Sequence, residues 1–175
     1  IKNYKFNIIF FKNFEYTNRM IYKELIEAIK ILESKKRLIG IDLGTKTIGL
    51  AISDPSMTIA SPLETINRKK IKIDLERIQY LINEFDVHGI ILGYPINMNY
   101  TTGPRTQSTM SFAREIEKVI DTPIILWDER LSTSAAEKVL INADLTRKKR
   151  KLVIDKMAAT YILQGALDRI RNHKK

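Results

Sequence analysis

Carboxylates stand at three places where acids are costly. Asp42 lies in "LIGIDLGTKTIGLAISD" (residues 38–54), flanked on both sides by apolar residues and glycine, and an unpaired charge in such a strand is among the most expensive things a fold can hold. Asp128 and Glu129 close the apolar run "IILW", at the strand edge where α/β folds place their ligands. Asp155 stands in the first turn expected for the last helix, and Ala158 and Ala159 on its face let that helix approach a sheet closely. Two strand ends and a helix start can bring three carboxylates to one point. Such a cluster repels itself unless a cation is present. Oxygen-only donors select a hard ion, Mg²⁺ or Mn²⁺, and two such ions can clamp the attacking and leaving oxygens of a phosphodiester. Singly, Asp155 would serve as well as a partner of the helix dipole, and the acids at 128 and 129 as solvated residues past a strand. Their joint occurrence points to metal-assisted hydrolysis. With no cysteine the chain has no thiolate nucleophile and no Cys-zinc site, which suits a reducing compartment, and two histidines, His88 and His173, do not make a histidine-rich metal site.

An excess of 30 Lys+Arg over 20 Asp+Glu gives a net charge of +10, compatible with a lysine-rich surface or with a polyanionic partner. The run "TRKKRK" (146–151) favours the second. It reads as a basic loop just before Asp155, with Arg147, Lys148, Lys149, Arg150 and Lys151 as backbone-phosphate contacts. Lys46, shortly after Asp42, and Arg130, next to Glu129, are placed to hold phosphates beside the scissile one. His88 and Trp127 read as structural.

These residues need a frame. Residues 37–43 and 48–53 read as antiparallel strands around a tight turn at Gly44–Thr47, followed by a short strand over Leu63–Ile66. Asp74 opens a helix with Leu75, Ile78, Leu81, Ile82 and Phe85 on one face. "VHGIILGYP" (87–95) suits a central strand buried on both faces. After a polar loop comes a helix with Phe112, Ile116 and Val119 inward, then a buried strand over 122–129. A helix from Ser132 or Thr133 to Ile141 and a last one from Val153 to Arg171 complete the pattern. Strands first, then alternating helix and strand, indicate one three-layer α/β domain with a mixed sheet over 37–175. Residues 1–36 form an N-terminal extension. Within it Leu25, Ala28, Ile29 and Leu32 predict a short amphipathic helix over Met20–Ser34 that packs on the domain. Residues 1–19 read as a docking arm, an added edge strand, or sequence ahead of a start at Met20. "IIFF" (8–11) is too short to cross a bilayer and lacks signal-peptide flanks, so a soluble cytoplasmic protein with no membrane partner is expected.

"GIDLGTKTIGLAISD", "ILGYPINMNYTTGPRTQ", "LWDERLSTSAAE" and "IDKMAATYILQGALD" resemble, in order, the four signature regions of the YqgF (RuvX-like) family, over residues 37–171. That family is described both as Holliday junction resolvases and as nucleases maturing the small-subunit ribosomal RNA precursor. The resemblance implies a ribonuclease-H-like three-layer fold, with a mixed five-stranded sheet flanked by helices. It implies Asp42, one acid of "WDER" (Glu129 favoured) and Asp155 as catalytic, metal-holding acids, with Mg²⁺ or Mn²⁺ as cofactor. The function implied is a metal-dependent nuclease processing the 5′ end of pre-16S rRNA. A junction resolvase cuts twice symmetrically, most easily as a two-fold dimer. No heptad or apolar docking surface is visible outside 1–36, so structured RNA is favoured over a four-way DNA junction, with the chain a monomer or weak dimer. A non-catalytic RNA-binding assembly protein is the other alternative, against which the complete acidic set argues. "DLGTKTIGLAI" also looks like the first phosphate loop of the actin and sugar-kinase superfamily, but those enzymes need two such domains and a second glycine-rich loop. The 175 residues and 7 dispersed glycines do not supply them.

Overall fold

The computed structural model describes residues 20–32, 36–96, 103–128 and 147–173, with residues 147–155 described for their backbone. Six strands form one sheet: β1 (Ile21–Tyr22), β2 (Arg37–Leu43), β3 (Thr47–Ser53), β4 (Ala60–Asn67), β5 (Val87–Tyr94) and β6 (Ile124–Asp128), in the order β1-β6-β5-β2-β3-β4. The β2–β3 and β3–β4 pairs are antiparallel, while β5, β6 and β1 extend the sheet in parallel. The mixed sheet matches the expectation except in its count. The sixth strand is β1, supplied by the N-terminal extension.

Period-two alternation sends each strand's residues to two cores. Ile39, Ile41, Ile90, Leu92, Ile124 and Leu126 face one layer, made with helices α2 (Ile71–Glu84) and α3 (Pro104–Glu117). Leu38, Ile91, Ile125 and Trp127 face the other, made with α1 (Leu25–Ile29) and the long α4 (Arg147–His173). The apolar run of β5 is therefore buried on both faces, as its composition requires.

Several elements differ from expectation for identifiable reasons. The predicted helix over Met20–Ser34 contracts to Leu25–Ile29 because Ile21 and Tyr22 pair with Ile124 and Ile125 instead. Leu25, Ala28 and Leu32 still pack on the α4 side. Helix α2 begins three residues before Asp74, whose buried carboxylate turns back to accept the Lys69 amide at 3.1 Å. Val119 lies beyond the end of α3 and is 61% exposed, while Phe112 and Ile116 are buried. The largest change is at "TRKKRK". Residues 147–151 are not a loop but the first turns of α4, and Asp155 lies eight residues inside that helix instead of in its first turn. The helix expected from Ser132 or Thr133 lies outside the described residues.

Candidate active site

Asp42 is the sixth residue of β2, a strand with partners on both sides. Its alternation partners Leu38 and Gly40 fix the face on which it stands. Leu38 belongs to the α4 core, and a Cβ built on Gly40 would meet Leu163 Cβ at 2.7 Å and the Ala159 carbonyl oxygen at 2.8 Å. Asp42 therefore faces α4 and is half-buried. Its cross-strand partner on β3 is Gly49. On β5, the step after the Ile41–Leu92 pair sets Gly93 beside it. Both lateral neighbours of the carboxylate thus lack side chains.

The direction of α4 follows from two contacts. At one level of the sheet, Leu38 N–H donates to Ser53 Oγ at 2.9 Å. Ser53 pairs with Ala60, whose N–H donates to Gln164 Oε1 at 2.9 Å. At the next level Gly40 meets Ala159 and Leu163. Falling residue number along α4 thus leads towards the Leu43 end of β2. Asp42 lies two strand residues beyond Gly40, about 6.6 Å. Asp155 lies one helical turn beyond Ala159, about 6 Å. Counted from the Gly40–Ala159 contact, the two offsets run in the same sense and are similar in length.

The turn after Asp42 is held from below. Gly44 N–H donates to the Thr47 carbonyl at 2.9 Å, and a Cβ at Gly44 would come within 2.8 Å of that oxygen. Arg68 closes the turn from β4: its Nη1 donates to the Gly44 carbonyl and its amide to the Lys46 carbonyl, each at 2.9 Å. Thr45 and Lys46 are left exposed at the tip. Sequence reasoning missed Arg68, since nothing in "NRKK" separates it from a solvated cation. It also missed Asp54, the last residue of the first motif. Partial burial alone would raise its pKa, but hydrogen bonds from the Ile59, Thr58 and Ser56 amides and the Ser56 hydroxyl prevail and hold it at about 2, below the ordinary 3.8. That loop receives the Gln164 side chain, whose Nε2 donates to the Thr58 carbonyl at 3.1 Å, so Asp54 helps seat α4.

Asp128 pairs across β5 with Tyr94 and alternates with Leu126, so it belongs to the α2/α3 face, opposite Asp42. Trp127 is a core residue, 4% exposed, and His88 Nδ1 bonds the Arg37 carbonyl at 3.0 Å. Glu129 and Arg130 lie outside the described residues, and for Asp155 and the basic residues 147–151 only the helix backbone is described. Among the described residues no three His, Cys, Asp or Glu side chains gather into a metal-binding group.

A family model described as "RuvX: Holliday junction resolvase" matches residues 36–169. A Roseobacter denitrificans protein named "Putative pre-16S rRNA nuclease" is 50% identical over 154 residues, 87% of this chain and 94% of its own length. The chain belongs to the RuvX family. A Methylocella silvestris protein of the same name is 53% identical to this RuvX chain over 137 residues, 78% of the chain and 85% of the relative. The Thermus thermophilus RuvC chain in a complex with a Holliday junction substrate covers 78% of this chain and 96% of its own length, at a TM-score of 0.52 and 12% identity. That likeness shows the ribonuclease-H-like fold. RuvX membership makes the chain a nuclease, a hydrolase of phosphodiester bonds. No helix among the described residues is long and apolar enough to cross a membrane.

Proposed function

We propose that the chain is a divalent-metal-dependent nuclease that trims the 5′ end of pre-16S rRNA in ribosome biogenesis, cutting at the sheet edge marked by Asp42. The observation that carries this reading is the placement of Asp42 on the α4 face, between two glycines and two residues beyond Gly40, which meets Ala159 of the helix that carries Asp155. The name shared by relatives about half identical to the chain supports the substrate.

Asp42, Glu129 and Asp155 would hold Mg²⁺ or Mn²⁺. The fit rests on the donor chemistry, which is carboxylate oxygen throughout, and on the floor cleared by Gly49 and Gly93, since a hydrated hard ion keeps several waters and needs room for them. Glu129 is preferred to Asp128 because Asp128 belongs to the opposite face. When bound, the ion supplies Lewis acidity at the phosphoryl oxygens and lowers the pKa of an attacking water. The chain's own residues do the rest. Asp42 sits on a doubly paired strand, so its backbone is fixed before substrate arrives. Arg68 stiffens the turn that offers Lys46 to a neighbouring phosphate. Residues 147–151, with Arg130, would grip the strand through its backbone, independently of sequence.

The family description favours a second substrate, the four-way DNA junction. Labelled pre-16S rRNA fragments and a four-way junction, each incubated with Mg²⁺, Mn²⁺ or chelator, separate the readings. Metal-dependent cleavage of the RNA, with the chain sedimenting as a monomer or weak dimer, is the expected result. Paired symmetric nicks in the junction alone would establish the resolvase. Tight RNA binding without cleavage in any metal would leave a ribosome-assembly protein that no longer cuts.

A further inference from the structure

A cavity of about 430 Å³ opens where β5 and β6 end, walled on its outer side by the segment that follows β1. Neither the metal-holding acids nor the basic run accounts for it. Its lining combines two aromatic residues, Tyr94 and Trp127, with two cations, Lys23 and Arg169, and two carboxylates, Glu24 and Asp128. The volume falls in the range that encloses a small organic ligand. Balanced charges disfavour a phosphate, which needs a net positive pocket. They suit a planar, neutral, polar group that lies against the aromatic lining and offers both donors and acceptors at its rim.

Position narrows the choice. Trp127 pairs with Gly93, and Gly93 adjoins Asp42 on the other side. Asp42, Gly93 and Trp127 therefore form one row across three strands on the α4 face. Two strand spacings separate its ends, about 10 Å, and the residue between them has no side chain. A nucleic-acid strand with one phosphate over Asp42 can lay a nearby nucleotide along this row. We propose that the cavity is a nucleobase subsite, which takes an unpaired base of the substrate next to the cut. This rests on the nuclease reading above for its substrate class. The extension at residues 20–26 thereby builds part of the substrate site, since Lys23, Glu24 and Ile26 line the cavity.

Trp127 is the single tryptophan, so its fluorescence reports the cavity directly. The purified chain, in chelator so that no hydrolysis is needed, is titrated with adenosine, guanosine, cytidine and uridine monophosphates, and separately with ribose 5-phosphate. Saturable quenching by at least one nucleotide, at a concentration on the order of 1 mM, and none by ribose 5-phosphate, is expected. Ile26 is 47% exposed, so Ile26→Tyr narrows the cavity without disturbing a core. It should weaken that binding about tenfold while the melting temperature stays within about 2 °C. No quenching, equal quenching by ribose 5-phosphate, or an Ile26→Tyr variant that folds and binds as before would each overturn the subsite. A chain that cleaves RNA yet shows no quenching loses the subsite alone. One that quenches yet never cleaves loses the nuclease reading.

Discussion

Replacing Gly40 with alanine tests whether α4 must lie flat on β2 to complete the site. The new Cβ would stand 2.7 Å from Leu163 Cβ and 2.8 Å from the Ala159 carbonyl oxygen. Carbon atoms rest about 3.5–4.0 Å apart, so the helix must recede by about 1 Å. Both obstacles are backbone or Cβ atoms, which no rotamer change can move. Overpacking of this kind costs about 1–3 kcal/mol. Alanine recovers about 0.5–1 kcal/mol of the glycine's chain entropy, leaving a net loss of up to about 2.5 kcal/mol. For a chain of this length that lowers the melting temperature by up to about 10 °C. Activity should fall further than stability does. Displacing a catalytic group by about 1 Å can cost on the order of 100-fold in rate, and α4 is the helix that carries Asp155, the proposed third acid. Urea denaturation and cleavage at saturating RNA, measured on the same preparation, read the two effects. Adding Leu163→Ala should not rescue either, because alanine keeps the offending Cβ. A variant more stable than the parent, or one whose activity falls only with its folded fraction, would refute the close-packing argument.

Asp42→Asn should reduce hydrolysis to background while leaving the metal-free melting temperature unchanged or higher, since it removes like-charge repulsion; a variant that unfolds but keeps specific activity in its folded fraction would contradict this. Asp128→Asn, on the opposite face from Asp42 although it lines the cavity, should retain most turnover at saturating RNA, and a loss equal to that of Asp42→Asn would make it one of the metal-holding acids. Asp54 takes its proton at about 2 in the folded chain against 3.8 ordinarily, so it stabilises the fold above pH ~4 and the contribution is lost as pH falls from about 4 to 2. Partly exposed as it is, screening reduces the effect to about 1 kcal/mol, and Asp54→Asn should flatten the fall in urea midpoint over that window relative to the parent. Changing any two of Arg147, Lys148, Lys149, Arg150 and Lys151 to alanine should weaken RNA binding alike for unrelated sequences and lower the salt slope by up to about 0.7 per lost contact, with turnover at saturation little changed.

The strands at the centre of the sheet were legible because each is a long apolar run with sharp turn residues at its ends, and burial decides such segments. The edges were not. Two residues of β1 carry no pattern of their own and become a strand only because β6 offers them a free edge. Val119 continued the helical spacing of Phe112 and Ile116, but α3 ends at Glu117 and spacing beyond a helix end places nothing. Within the site, Asp42 was conspicuous because its sequence neighbours are apolar. Its cross-strand neighbours Gly49 and Gly93 are far from it in sequence, and only the register shows that both flank it. Arg68 was hidden for the same reason: its partner is a carbonyl in another turn.

The misreading of "TRKKRK" matters most for the chemistry. Five consecutive cations read as a phosphate-binding loop, yet Lys and Arg are among the better helix formers, and their mutual repulsion is weak in water. The run therefore joins α4, and Asp155 shifts from a first helical turn to a position eight residues in from Arg147. A carboxylate in the first turn is explained by the helix dipole, whose influence fades within that turn. At its actual position the dipole gives no such reason for an acid. What remains is its place one turn from Ala159, where the helix meets Gly40, two residues before Asp42. The correction to the secondary structure removes the dipole as the explanation of Asp155, which supports the proposal that it holds a metal together with Asp42.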